Sequence, residues 1–371
     1  MLKDNDFDRI ERQVTGLYDD LELQMIEETA RRIANVGYIN TVSYNNIKIL
    51  QEMGLMYEDI IRLIAEANNV NIAEIENIFE NAGLKALNRD NIIYKSAGIK
   101  DVAISNSVMN KLKDSSKKTG SNIVKLTNTM ANTSQLQFIN AMNKAYLETS
   151  TGTKSYTQAI SDAVKGVSKQ GAVIQYPSGA KRSIESAIRT NVLTSVNQTY
   201  TELQLERGKE LGWDLYEVSA HSGARPEHAE WQGKVYTEKE LYDKCGYGTI
   251  TGLCGVNCRH TFSPYYKGST KTYSSKELKD LRNEKVNYNG EEISKYNASQ
   301  IQRKLERNIR NNKKEIAGLQ GILSSNNKDI DRNKIEQDLQ NMKNRLKNNN
   351  SKLNDFVKQT NSKKDYSRLK I

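Results

Sequence analysis

The sequence predicts a mainly α protein with a small central α+β domain, an elongated helical N-terminal region and a C-terminal helical hairpin or coiled coil. Three observations lead there. Toward both ends of the chain, apolar residues recur at three- and four-residue steps, the spacing of one helix face. Between residues 212 and 266 that period gives way to short alternating runs separated by glycine. All three histidines and all three cysteines fall between His221 and His260, about a ninth of the chain.

The 371 residues leave room for two or three units of ordinary size. Apolar residues make up 37%, and the mean hydropathy is −0.73, which points to a modest core and much exposed polar helix. No apolar stretch approaches the ~20 residues of a membrane span, so no membrane partner is expected. The charged start, Met1-Leu-Lys-Asp-Asn-Asp-Phe-Asp-Arg9, lacks an apolar signal segment. Three cysteines, an odd number in a long chain, argue against a disulfide scaffold and for a reducing compartment.

Four segments follow. In 1–90, Leu17, Leu21, Met25, Ile26, Ala30 and Ile33 mark one helix, and residues 57–64 a second. Asn71-Ile-Ala-Glu74 has capping-box spacing and predicts a third, closed by Gly83. Residues 91–205 read as a helical region in which Ser105–Asn132 is a flexible connector or a polar helix. A short helix is expected to end at Gly166, and Tyr176-Pro-Ser-Gly179 is a turn. Ser183 then caps a helix with Ile184, Ala187, Ile188, Val192, Leu193, Val196 and Leu203 on its apolar face. Arg189, Asn191 and Asn197 fall off that stripe and could meet the next domain or face water, and the sequence alone favours water. Residues 206–270 form the small α+β unit, with extended pieces at 213–220, 234–236 and 259–263.

Residues 275–371 form the basic hairpin or coiled coil. Ile301, Leu305, Ile309, Ile316, Leu319 and Leu323 mark one seam, and Ile335, Leu339, Met342, Leu346, Leu353 and Phe356 a second, broken by Ser324-Ser-Asn-Asn327. The spacing leaves open whether the seams pair within the chain or between copies. From Ser299 to Ile371 there are 18 basic against 8 acidic residues, a balance of +10 that equals the net charge of the whole chain. The rest is neutral. A basic tail on a neutral body suggests phosphate contact with double-stranded DNA, with Arg303, Lys304, Arg307, Arg310, Lys313 and Lys314 as candidate contacts; a solvated lysine-rich face is the plainer alternative.

Within the Cys/His window, Cys254-x3-Cys258-x-His260 lies within the spacing zinc tolerates, and His221 or His228 could complete four ligands. Six candidates for four places leave the set undefined. A nucleophilic cysteine with a histidine base, as in a nuclease or toxin-like hydrolase, is a second possibility. The third is a purely structural knot of hydrogen-bonded turns.

The residues themselves carry a resemblance. His221-Ser-Gly-Ala-Arg-Pro-Glu-His-Ala-Glu-Trp-Gln-Gly-Lys-Val-Tyr236, followed by Gly252-Leu-Cys-Gly-Val-Asn-Cys-Arg-His260 and Pro264, resembles the signature of the phage minor capsid protein 2 family. The stretch 176–191 is similar to the family's segment before the signature, and Arg303–Arg310, Phe356–Thr360 and Asp365–Arg368 resemble its C-terminal helices. The resemblance implies a structural, non-enzymatic protein of a tailed phage or prophage, present in few copies and made beside the portal protein. Its expected partners are the portal and major capsid proteins, and its expected place is the virion head, with the host cytoplasm during assembly. Distant relatives, the Mu F-like head morphogenesis proteins, have equivalents of Arg225, His228, Gly233 and Cys258, with an acidic residue at the place of His221 and a cysteine at that of His260. Both exchanges swap one metal ligand for another. They imply a zinc set of His221, His228, Cys258 and His260, with Cys254 in reserve, framed by Arg225, Trp231, Gly233, Gly255, Asn257 and Arg259.

Overall fold

The computed structural model describes residues 4–37 and 42–370, so Met1, Leu2 and Lys3 of the charged start lie outside the described residues. Helix α1 (Asp4–Gly16) precedes α2 (Asp19–Asn35), which follows the predicted face: Leu21, Met25, Ile26, Ala30 and Ile33 are all buried, while Leu17 lies in the turn before it. Helix α3 (Val42–Ser96) then runs unbroken for 55 residues, through the predicted start at Asn71 and the predicted stop at Gly83. Packing overrides both local signals. Asn71 donates its Nδ2 across to the Leu17 carbonyl at 2.8 Å rather than capping a helix. Buried Asn68 accepts from the Tyr18 hydroxyl at 3.2 Å and donates to Thr127 Oγ1 at 3.1 Å. Gly83 stands where a Cβ would fall 2.5 Å from Leu112 Cδ1 on α4 (Asn106–Ser150). Its bare backbone lets α3 and α4 close on each other. Gly83→Ala is therefore expected to cost about 1–3 kcal/mol by overpacking; a urea-unfolding midpoint equal to wild type would rule that contact out.

The polar stretch 105–132 is helix, not connector. Ser105 caps α4 by accepting from the Val108 amide at 3.2 Å. Buried Ser116 and Thr127 return their hydroxyls to the Leu112 and Val124 carbonyls at 2.9 and 3.0 Å. Small hydroxyls satisfied within their own helix let a polar sequence pack. α3 and α4 run antiparallel, Asn68 meeting Thr127 and Tyr57 meeting Asn132. Helix α5 (Tyr156–Gln170) passes through Gly166, the predicted stop, and ends at Gly171, whose φ of +68° suits glycine. Strands β1 (Val173–Gln175) and β2 (Lys181–Ser183) pair antiparallel on either side of the predicted turn. Ser183 then caps α6 (Ile184–Glu210), as its sequence predicts.

The central unit holds β3 (Tyr216–Val218), α7 (Pro226–Ala229), β4 (Val235–Tyr236), α8 (Glu238–Cys245) and β5 (Phe262–Pro264). Its antiparallel sheet has the order β4-β3-β5, with Tyr216 opposite Tyr236 and Val218 opposite Phe262. Tyr216, Val218, Trp231, Leu253 and Phe262 belong to a core cluster of its own, distinct from that of the helices.

The tail opens with elements its helical pattern did not predict: α9 (Ser275–Asn283) and a hairpin of β6 (Lys285–Tyr288) and β7 (Glu291–Ser294). Helices α10 (Lys295–Leu323) and α11 (Arg332–Thr360) then form the expected hairpin, and a 3-10 turn covers Tyr366–Leu369. The seams pair within the chain. Asn312 accepts from Asn349 Nδ2 at 2.6 Å, so two polar seam residues satisfy each other and hold the register. α10 also packs on α2 and α5. The helical core accordingly joins Phe7, Ile123, Ile188, Leu319 and Met342, residues from both ends of the chain. Among the described residues no helix is long and apolar enough to cross a membrane.

Candidate metal centre

α6 is the bed of the Cys/His unit. Asn197, expected to face water, is fully buried, and its Nδ2 donates to the Cys258 and His260 carbonyls at 3.1 and 2.8 Å. One amide thus sets the backbone on both sides of Arg259. Thr201 and Gln204 continue the same buried face, and Thr201 Oγ1 lies 3.1 Å from the Tyr247 hydroxyl. The stripe 197, 201, 204 is polar but uncharged at helical spacing, a signal that could have marked a helix face turned toward another unit.

The loop carrying the cysteines needs unusual backbone. Cys254 and Asn257 both have positive φ, +61° and +57°, and Asn257 accepts from Thr190 Oγ1 on α6 at 3.2 Å. A Cβ on Gly255 would collide with the Thr249 and Ile250 carbonyls. Arg225 donates to the Val256 carbonyl at 2.8 Å and ties α7 to this loop. At Gly233, φ is +67°, and a Cβ there would meet Leu278 of α9. Every framing residue named from the sequence lies in or against this loop, or in the turn that leads to β4.

Three ligand-type side chains converge in its interior. The donor atoms of His228, Cys258 and His260 lie within 4.8 Å of one another, and all three residues are buried. Cys258 Sγ is 3.7 Å from both His228 Nδ1 and His260 Nδ1. Tetrahedral zinc at ordinary Zn–S and Zn–N bond lengths separates sulfur and nitrogen ligands by about 3.5 Å. The outer ring nitrogens are committed: His228 Nε2 donates to the Thr251 carbonyl at 2.8 Å, and His260 Nε2 to Gln232 Oε1 at 2.9 Å. Gln232 Oε1 also accepts from the His221 amide at 3.1 Å, which fixes the orientation of its side chain. Burial holds both imidazoles neutral by pushing their pKa down, His260 furthest. Each therefore turns an Nδ1 lone pair toward the Cys258 sulfur. One S–H proton can serve only one of them. A cation in this place would satisfy both, so the donor set fits a metal ion.

His221 and Cys254 stand just outside the trio. His221 stacks on His260 with ring centroids 4.3 Å apart, and its Nε2 is buried without a hydrogen-bond partner. Cys254 Sγ turns to the His260 carbonyl at 3.6 Å. Trp231 closes the trio, its ring 4.6 Å from His228 and 4.8 Å from His260. Cys245 lies at the end of α8, where burial pushes its thiol up to about 12, away from the trio. Burial likewise raises the Cys254 and Cys258 thiols.

The depressed histidine values carry a pH dependence. A group whose folded pKa lies below its unfolded value stabilises the fold above the unfolded pKa. That contribution is then lost as pH falls through the window toward the folded value. The unfolded value is 6.5. The unit is thus expected to loosen below about pH 6.5, read by Trp231 fluorescence. Equal stability at about pH 5 and about pH 7.5 would contradict the buried neutral pair.

Arg259 ties the unit to the body, reaching Asp8 at 2.7 Å and Glu11 at 3.1 Å on α1. Glu11 also pairs with Arg189 and with Arg368, and Glu185 holds Arg189 and Arg310. Arg189 is therefore buried, not facing water.

The structure also redistributes the predicted phosphate contacts on α10. Lys314 is buried and pairs with Glu22 at 2.6 Å, and Arg310 pairs with Glu185 at 3.3 Å. Lys313 donates to the Leu369 carbonyl at 2.6 Å. These three are occupied inside the protein, because α10 is a central helix packed on α2, α5 and α11. Arg303, Lys304 and Arg307 remain exposed.

The family model for phage minor capsid protein 2 matches residues 2–358. A structural protein of Lactococcus phage LL-H is 25% identical over 286 residues, covering 71% of this chain and 74% of its own. No solved structure matches. With the family pattern running through nearly the whole chain, from α1 into the last turn of α11, the protein belongs to the phage minor capsid protein 2 family and has a structural role in a phage.

Proposed function

We propose that the protein is a non-catalytic minor component of the head of a tailed phage or prophage. It sits at the portal–capsid vertex, against the portal and major capsid proteins, and touches packaged double-stranded DNA through its basic tail during assembly, packaging or genome delivery. The family match over residues 2–358 carries this reading. In the same reading the Cys/His unit is a zinc staple held by His228, Cys258 and His260, with His221 in fourth place and Cys254 in reserve. Bound zinc would contribute folding energy to a unit with a small core, roughly 10 kcal/mol or more.

Two features favour a staple over a hydrolase. Cys258 is 2% exposed and its thiol is pushed up by burial, the reverse of an activated nucleophile. Both histidines spend their outer nitrogens on fixed acceptors inside the unit.

The reading is tested by co-expressing the full chain with the portal protein and by mass spectrometry of purified particles. Co-purification and a few copies per particle are expected. Absence from particles, or nucleic-acid cleavage abolished by His228→Ala in a folded protein, would overturn it.

A further inference from the structure

We propose that the outer face of α11 is a double-stranded DNA surface that seats in the major groove. This rests on the reading that the tail meets packaged DNA, and names the surface that does so. α11 buries Ile335, Met342, Leu353 and Phe356 and turns its other side to solvent. At about 100° per residue, the crest opposite that seam is Gln337, Gln340, Asn344, Asn348 and Ser351, stepping by three, four, four and three. All five are exposed.

Basic residues flank the crest on both sides. Lys343 and Lys347 lie along one edge, Arg345 and Lys352 along the other, and all four are exposed. Among the described residues none of the four has a carboxylate within ion-pair distance. From Leu339 to Asn354 the helix has no acidic residue at all. α10 contrasts with this, since Arg310 and Lys314 are paired inward.

The arrangement discriminates between ways of meeting DNA. A helix lying across the outside of the backbone needs its positive charge on the crest. A helix in the major groove has base edges at its crest and phosphates along both walls. It then needs uncharged hydrogen-bonding groups on top and cations at either side, the pattern of α11. An α-helix of about 10–12 Å diameter also matches a groove about 12 Å wide. Glutamine and asparagine are side chains able to bond base edges there.

The test uses the full-length protein and a short fluorescent duplex, with anisotropy followed over a salt series. Wild type is expected to bind with a steep salt dependence. The variant Lys343→Ala/Arg345→Ala/Lys347→Ala/Lys352→Ala should flatten the slope of log K against log salt by about 3–4, at close to one unit per lost phosphate contact. Lys239→Ala/Lys244→Ala on α8, exposed and outside the tail, should leave the slope near wild type. Circular dichroism confirms that the helices persist. A duplex whose cytosines carry bulky glucosyl groups in the major groove should bind several-fold more weakly than the plain duplex.

An unchanged slope in the fourfold variant overturns this surface while leaving tail–DNA contact standing. Equal binding of the glucosylated duplex overturns groove seating. Absence of salt-sensitive binding by wild type overturns both this surface and the tail–DNA reading beneath it.

Discussion

Glu11→Gln is expected to destabilise the protein by about 3–5 kcal/mol, the cost of stripping one partner from a buried ion cluster. Glu11 is 1% exposed and carries three guanidinium groups: Arg189, Arg259 at 3.1 Å and Arg368 at 3.2 Å. Burial, then repulsion from neighbouring arginines, already pulls the Arg189 pKa down to about 8. Without Glu11, that crowding is offset by Glu185, at 2.7 Å from Arg189, and by Asp8 on Arg259 and Asp365 on Arg368. The partners come from α1, α6, the Cys/His unit and the C-terminal turn, so the loss should be felt in all of them. Urea unfolding at neutral pH would measure it. Lys239→Ala, in an exposed pair with Asp243, is the control and should leave stability close to wild type. A Glu11→Gln loss no larger than that control would mean the cluster is not coupled to the fold.

The second large effect concerns the proposed zinc staple. Purified protein is expected to hold about one zinc, and chelation to unfold the Cys/His unit while the helical body persists, on the order of 10 kcal/mol being withdrawn from that unit. Near-ultraviolet dichroism of the tryptophans should collapse while the helical signal largely stays. Cys258→Ser should lose the metal, whereas Cys254→Ser should keep it, because only Cys258 faces both Nδ1 atoms. Zinc below about a tenth of an equivalent would remove the staple and leave a hydrogen-bonded knot.

Much of this architecture was legible in local pattern. Ser183 as a cap, the turn at Tyr176–Gly179, the extended pieces around Tyr216, Tyr236 and Phe262, and the break between α10 and α11 each depend on a few neighbouring residues. The helix boundaries inside α3 and α5 were not legible. Asn71, Gly83 and Gly166 carry the local chemistry of helix ends, and nothing near them in sequence shows that Leu17 or Leu112 lies opposite. The strands β6 and β7 were hidden in a stretch whose composition reads as polar helix.

The sequence by itself determined the mainly helical class, the place of the Cys/His unit, the concentration of positive charge in the tail, and the residue types able to hold a metal. Periodicity, rarity and charge are all properties of the chain read in order. Only the tertiary structure decided which three side chains converge, because His228 and Cys258 are thirty positions apart and meet through loops of positive φ. It also decided which basic residues face outward. α10 and α11 are both basic, but α10 lies between α2, α5 and α11 and spends Arg310 and Lys314 on buried carboxylates, while α11 covers it from outside and keeps its cations in solvent. A buried cation must find an opposite charge, and where that charge stands is a property of packing, not of order along the chain.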